Sequence, residues 1–170
     1  YIQNLTKTAE AFSRIVKKIN ENAEEASPLL FKNNLPEIFV EISNKFFEDP
    51  EKFYENQMNL WNDYTKILSN SYERFLGHSV DPIFKVDPRD KRFKDETWNN
   101  DVVFDFIKQS YLLTSSWVKE TVNDLEIKDK NLASKIDFYT RQLIDASAPS
   151  NFAFTNPEVI KETILSLIHI

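Results

Sequence analysis

The chain has 170 residues, a mass of 20.0 kDa, a net charge of −6 and a sequence pI near 5.0. At 41% hydrophobic and 28% charged it has the composition of a soluble globular protein, and a chain this long can bury roughly 70% of its unfolded surface in one core. Glycine occurs once, at Gly77, and cysteine is absent. Average usage would supply about a dozen glycines. Phosphate-cradling loops and nucleophile elbows need two or three close together, so dinucleotide, P-loop and elbow chemistry are excluded. Without cysteine there is no disulfide, thiolate metal site or thiol nucleophile. The acidic balance argues against a nucleic-acid partner. No apolar run is long enough for a transmembrane segment. The chain opens on Tyr1 with no basic-then-apolar leader, and is expected to be a piece of a longer cytoplasmic protein.

In chain order nearly everything predicts helix. Ile2, Leu5, Ala9, Phe12, Val16, Ile19 and Ala23 recur at alternating three- and four-residue steps, a narrow seam of the coiled-coil kind. Leu5, Phe12, Val16 and Ile19 are therefore a candidate interface, with packing inside their own domain as the alternative. Pro28 interrupts the pattern. Pro36 suits the first turn of a second helix, whose apolar face carries Ile38, Phe39, Ile42, Phe46 and Phe47. Asp49-Pro50 then reads as an N-cap and first-turn proline. The long helix that follows is expected to turn Phe53, Leu60, Trp61, Tyr64, Ile67, Leu68, Ser71 or Tyr72, and Phe75 inward, ending at Gly77. From His78 to about Asn100 the periodicity fails around Pro82 and Pro88. Lys85, Arg89, Lys91, Arg92 and Lys94 alternate there with Asp87, Asp90 and Asp95, which predicts a solvated loop anchored by Phe93 and Trp98. A further helix is predicted over 102–123, and another over 129–146 runs through Leu132, Ile136, Tyr139 and Leu143 until Pro149 stops it. Thr155-Asn156-Pro157-Glu158 opens a last short helix by capping rules. The fold class is all-α, a bundle of about five to six helices. Its expected division is a helical lead-in (1–76), a linker loop (77–100) and a second helical segment (101–170).

Chemistry is sparse in this pattern. His78 and His169 each lack the i+3 or i+4 partner that a helical metal site needs. No catalytic, cofactor-binding or metal residue is assigned, and no cofactor is expected. Arg141 and Asp145, one turn apart, form a candidate structural pair holding their helix to the following loop.

One stretch is more specific. Asp90-Lys91-Arg92-Phe93, Trp98, the run Phe104 to Leu113 and Trp117 lead to Arg141-Gln142-Leu143-Ile144-Asp145-Ala146. Pro149-Ser150-Asn151-Phe152 and Thr155-Asn156-Pro157-Glu158 follow. In this order and spacing, from Asp87 to Ser166, the chain resembles the N-terminal region of class I poly(R)-hydroxyalkanoate synthases. The resemblance implies a parent acyltransferase that polymerises (R)-3-hydroxyacyl-coenzyme A into storage polyester. It further implies a downstream α/β-hydrolase domain with a cysteine elbow, an aspartate and a histidine. None of those three residues matches a position here, so no catalytic role carries over. Beyond Ser166 the family continues with glycines where this chain has Leu167-Ile168-His169-Ile170. An added tail and a genuine variant both stay open.

The reading is a non-catalytic helical domain for self-association and for docking on granules or partners in the cytoplasm. Its expected partners are a second copy, its own catalytic domain, the granule surface and phasin-like granule proteins. The alternative is a free-standing phasin-like granule protein.

Overall fold

The computed structural model describes residues 35–168. The candidate interface Leu5, Phe12, Val16 and Ile19, the rest of that seam, and His169 lie outside the described residues. Among the described residues there are six α-helices and two 3-10 turns, Lys91–Phe93 and Pro149–Asn151, with no strand. The helices are α1 (Leu35–Glu48), α2 (Pro50–Phe75), α3 (Thr97–Asn100), α4 (Val102–Asn123), α5 (Lys130–Ala146) and α6 (Pro157–Ile168). The all-α class is what the sequence predicts.

Local chemistry accounts for the helix boundaries. Asp49 Oδ1 accepts the Lys52 amide at 3.1 Å, which makes it the N-cap of α2, with Pro50 at the first helical position. At the other end Gly77 takes φ +87°. The Gly77 amide reaches Arg74 O and the His78 amide reaches Glu73 O, both at 3.0 Å, the two bonds of a Schellman cap. Asp101 caps α4 through the amides of Val103 and Phe104. Asp129 does the same for α5 through Asn131 and Leu132, and Asn156 caps α6 through Glu158.

The chain folds into two compact units. Within the described residues, one comprises residues 35–55 and 122–138. Ile38, Leu125 and Ile136 are its buried apolar side chains, and Lys52 pairs with Asp124 at 3.5 Å.

The other comprises residues 56–121 and 139–168. Its core is Phe93, Trp98, Tyr111, Ile144 and Ala148, flanked by Val86, Phe104, Ile107, Leu112 and Val118. Phe93 meets Trp98 edge-on at 5.1 Å, and Trp98 meets Phe104 edge-on at 5.7 Å, orientations that the ring quadrupole favours. Helix α2 joins α4 here through Tyr64 OH and Thr114 Oγ1 (2.9 Å) and through Trp117 Nε1 donating to Asn56 O (3.1 Å).

Two face assignments differ from expectation. On α2, Ile67 is buried and Phe53, Leu60 and Tyr64 are half-buried, but Trp61, Leu68, Tyr72 and Phe75 face outward. The helix carries two apolar stripes, and the one that includes Arg74 is the inner one. On α5, Ile144 is buried and Leu143 is exposed.

Candidate functional site

The chemistry-bearing side chains gather in the second unit around the segment 77–101, and each has an identifiable support. Gln109, buried on α4, clamps the backbone of Phe84. Its Oε1 accepts the Phe84 amide at 2.7 Å and its Nε2 donates to Phe84 O at 2.8 Å. Asn70 Nδ2 donates to Asp81 O from α2. These bonds give a segment without regular structure the partners its backbone needs.

Arg92 is the hub. The Asp90 carboxylate caps the 3-10 turn at the Arg92 amide (3.0 Å) and accepts from the guanidinium at Nε and Nη2, the latter at 2.8 Å. Arg92 Nη1 donates to Tyr111 OH at 2.8 Å and to Asp145 Oδ1 at 3.0 Å. Its guanidinium carbon lies 5.4 Å from the Tyr111 ring centroid, within cation–π range. Tyr111 passes the chain on by donating to Ile144 O at 3.1 Å. The Asp90 carboxylate, with Tyr111 and Asp145, raises the Arg92 pKa above its usual value, and Arg92 in turn lowers that of Asp90. The expected solvated loop is thus an ordered strap, with Phe93 5% and Trp98 1% exposed. Lys85, Asp87, Arg89, Lys91 and Lys94 have the exposed character predicted, whereas Asp90, Arg92 and Asp95 are half-buried. Arg89 holds the Asp87 carboxyl at about 2.

A second cluster lies beneath it. Asp105 and Lys108 on α4 are each 2% exposed and stand one turn apart with Oδ1 and Nζ separated by 2.7 Å. That contact is an ion pair without hydrogen-bond alignment, and Asp105 Oδ1 has no other polar partner. Lys108 Nζ also donates to Trp98 O (2.9 Å) and Asn99 Oδ1 (2.6 Å). Arg74, from α2, pairs with Asp105 Oδ2 and donates to Asn99 O. One buried carboxylate therefore serves two cations, and Lys108 Nζ has two hydrogen-bond acceptors besides its ion pair. Burial of such charges is tolerated only with this degree of pairing.

The C-terminal motif residues close the unit. Asn151 Nδ2 donates to Asp145 O at 2.7 Å, Thr155 Oγ1 to Pro149 O at 2.6 Å and Asn156 Nδ2 to Ser150 O at 2.7 Å. Lys161 on α6 reaches Asp95 Oδ1 at 2.9 Å. The Thr97 bonds and then Lys161 bring the Asp95 carboxyl down to about 2. Of the expected pair, Asp145 engages Arg92 from 53 residues away. His78 sits on Glu73 through Nδ1, beside the cap of α2.

The roles of Arg92, Tyr111, Lys108 and Asp105 go beyond what the periodicity indicates. One signal was available: Asp105 and Lys108 are an opposite-charge pair at i and i+3 inside the apolar run Phe104 to Leu113, which marks a helix covered on several faces. The arrangement positions backbone and holds segments together, and its cations are engaged by carboxylates of the same unit.

Residues 89–167 match the family model described as the N-terminus of poly-beta-hydroxybutyrate polymerase (PhaC). A poly(3-hydroxyalkanoate) polymerase of Methylorubrum extorquens is 37% identical over 123 residues, covering 72% of this chain and 20% of that protein. A polymerase subunit of Rhizobium meliloti is 36% identical over 125 residues, 74% of this chain and 20% of the relative. The polymerase subunit of Cupriavidus necator is 33% identical over 69 residues, 41% of this chain and 12% of the relative. The chain thus spans about a fifth of the length of the first two. No solved structure matches it at a significant level.

Proposed function

We propose, on the premise that residues 89–167 are by homology the N-terminal domain of a poly-beta-hydroxybutyrate polymerase, that this domain is non-catalytic and serves self-association and granule or partner docking. The observation that carries the reading is where the motif side chains are used. Arg92, Tyr111, Asp145, Asn151, Thr155 and Asn156 all bond within their own unit, holding the strap and the turn before α6 in place. A chain that keeps these residues for internal support is keeping a shape.

Exposed apolar side chains support the docking half. Phe154 is 95% exposed, and Phe152, Leu143, Leu165 and Ile168 are also open to solvent. Aromatic and aliphatic groups in such positions suit an apolar surface such as a polyester granule. For self-association the proposed seam remains Leu5, Phe12, Val16 and Ile19, and the proposed place of action is the cytoplasm at granule surfaces. Arg141 and Asp145 remain proposed as a structural pair.

The purified chain is expected to release no coenzyme A from (R)-3-hydroxybutyryl-coenzyme A above the enzyme-free blank. It is also expected to co-sediment with poly(3-hydroxybutyrate) particles, and Phe152→Ser with Phe154→Ser lowers the bound fraction. Measurable turnover overturns the non-catalytic reading, and particle binding that ignores both substitutions overturns the docking surface.

A further inference from the structure

Helix α2 has an outward stripe that its own unit leaves uncovered. Met58, Trp61, Thr65, Leu68, Tyr72 and Phe75 follow one another at steps of three, four, three, four and three residues, which places them along one face. All six are exposed, and the five apolar members range from 42% to 76%. With side chains of about 150–250 Å² for the aromatics, the stripe offers on the order of 700 Å². The largest apolar patch on a typical monomer is about 300–600 Å², and a stable interface buries about 800 Å² per partner.

We propose that a second copy of this chain covers the stripe, with the two α2 helices antiparallel. The inference rests on the self-association part of the proposed function and gives it a different surface from the N-terminal seam. Three observations select this occupant. The step pattern is a palindrome, so a two-fold axis through the middle of the stripe matches it to itself. Met58 then meets Phe75, Trp61 meets Tyr72, and Thr65 meets Leu68. Parallel pairing instead stacks Thr65 on Thr65.

The second observation is charge. The stripe's flanking positions include Gln57, Asn62, Ser69 and Ser71, none of them charged. Two copies, each at −6, can approach there without like charges facing each other across the flanks. The charged residues of α2 in this unit have partners within their own copy, Lys66 with Asp63, Arg74 with Asp105, and Glu73 with His78. The third is Thr65 itself, whose hydroxyl already donates to Asn62 O at 2.7 Å. Its burial leaves no donor without a partner.

The absence of native cysteine makes the test direct. Met58→Cys and Phe75→Cys are prepared separately in the full chain, oxidised alone and as an equimolar mixture, and compared by sedimentation and non-reducing gels. The mixture is expected to give a disulfide-linked dimer that neither variant gives alone. Trp61→Glu with Tyr72→Glu is expected to weaken dimerisation on the order of 100-fold with the helical circular dichroism unchanged. Phe12→Asp with Val16→Asp is expected to leave the mixed disulfide intact. A Met58→Cys homodimer without a mixed product overturns the antiparallel register. A dimer abolished by the Phe12 and Val16 changes but indifferent to Trp61 and Tyr72 overturns this surface and keeps self-association. A monomer at all concentrations overturns both, and leaves the polymerase-domain assignment and particle binding to be judged by their own assay.

Discussion

Helix α4 hides Asp105, Lys108 and Gln109, whereas α2, in the same unit, shows Trp61, Leu68, Tyr72 and Phe75 to solvent. The two helices invert the usual order of polar outside and apolar inside, for different reasons. On α4 Asp105, Lys108 and Gln109 each have a partner within reach, supplied by the strap, by Arg74 or by the helix itself. On α2 there are more large apolar side chains than one buried face accommodates, and the surplus forms a second stripe. The contrast teaches that burial follows from which groups can be satisfied at a position, and hydropathy alone does not rank them.

The sharpest way to break the contrast is at its buried centre. Asp105→Ala leaves Lys108 and Arg74 close together without their carboxylate and is expected to cost about 3–5 kcal/mol in urea unfolding. Replacing Lys108 and Arg74 with Met in the same background should recover much of that loss. If Asp105→Ala alone is neutral, the cluster does not hold the strap. A smaller effect is expected at the hub. Arg92→Ala removes bonds to Asp90, Tyr111 and Asp145, at a cost of about 1.5–3 kcal/mol. Arg141→Ala, on the exposed side of α5, should cost under ~1 kcal/mol. Equal losses at the two arginines would move the weight of the Asp145 interaction to Arg141, and double-mutant cycles with Asp145→Ala measure both couplings.

The gentlest test is acid. Asp87 and Asp95 each sit at about 2 in the folded chain against an ordinary 3.8, the first through Arg89 and the second through Thr97 and Lys161. A depressed folded pKa gives stability that is complete above the unfolded value and is lost as pH falls through the folded one. The melting temperature should therefore decline as pH drops from about 4 toward 2. Asp95→Asn should flatten that decline, and an unchanged slope would show that Asp95 contributes nothing to it.

Much of the helix map was legible because its punctuation is local. Asp49-Pro50, Asp129, Asn156-Pro157 and the lone Gly77 each mark a boundary through bonds to residues two to four positions away, and the structure contains those bonds. Short-range chemistry of that kind depends on the neighbouring residues and little else. Phe93 and Trp98 were readable as anchors for a related reason: large aromatics in a charged segment have few ways to leave water. The strap's order was not readable. Asp90 and Arg92 look like a solvated pair until Tyr111, 19 residues on, and Asp145, 53 residues on, are brought to the same guanidinium.

The amino-acid sequence by itself determined the all-α class, the helix starts and stops and the polymerase-like motif run, since periodicity, caps and residue order are properties of the chain. Tertiary structure alone decided which stripe of α2 turns inward and that Arg92 meets Asp145. Those choices depend on contacts between segments distant in sequence, where Arg74 could find Asp105 and Asn99 only once the strap was folded. A side chain's partner across such a distance is set by the packing of the unit, and no local pattern encodes it.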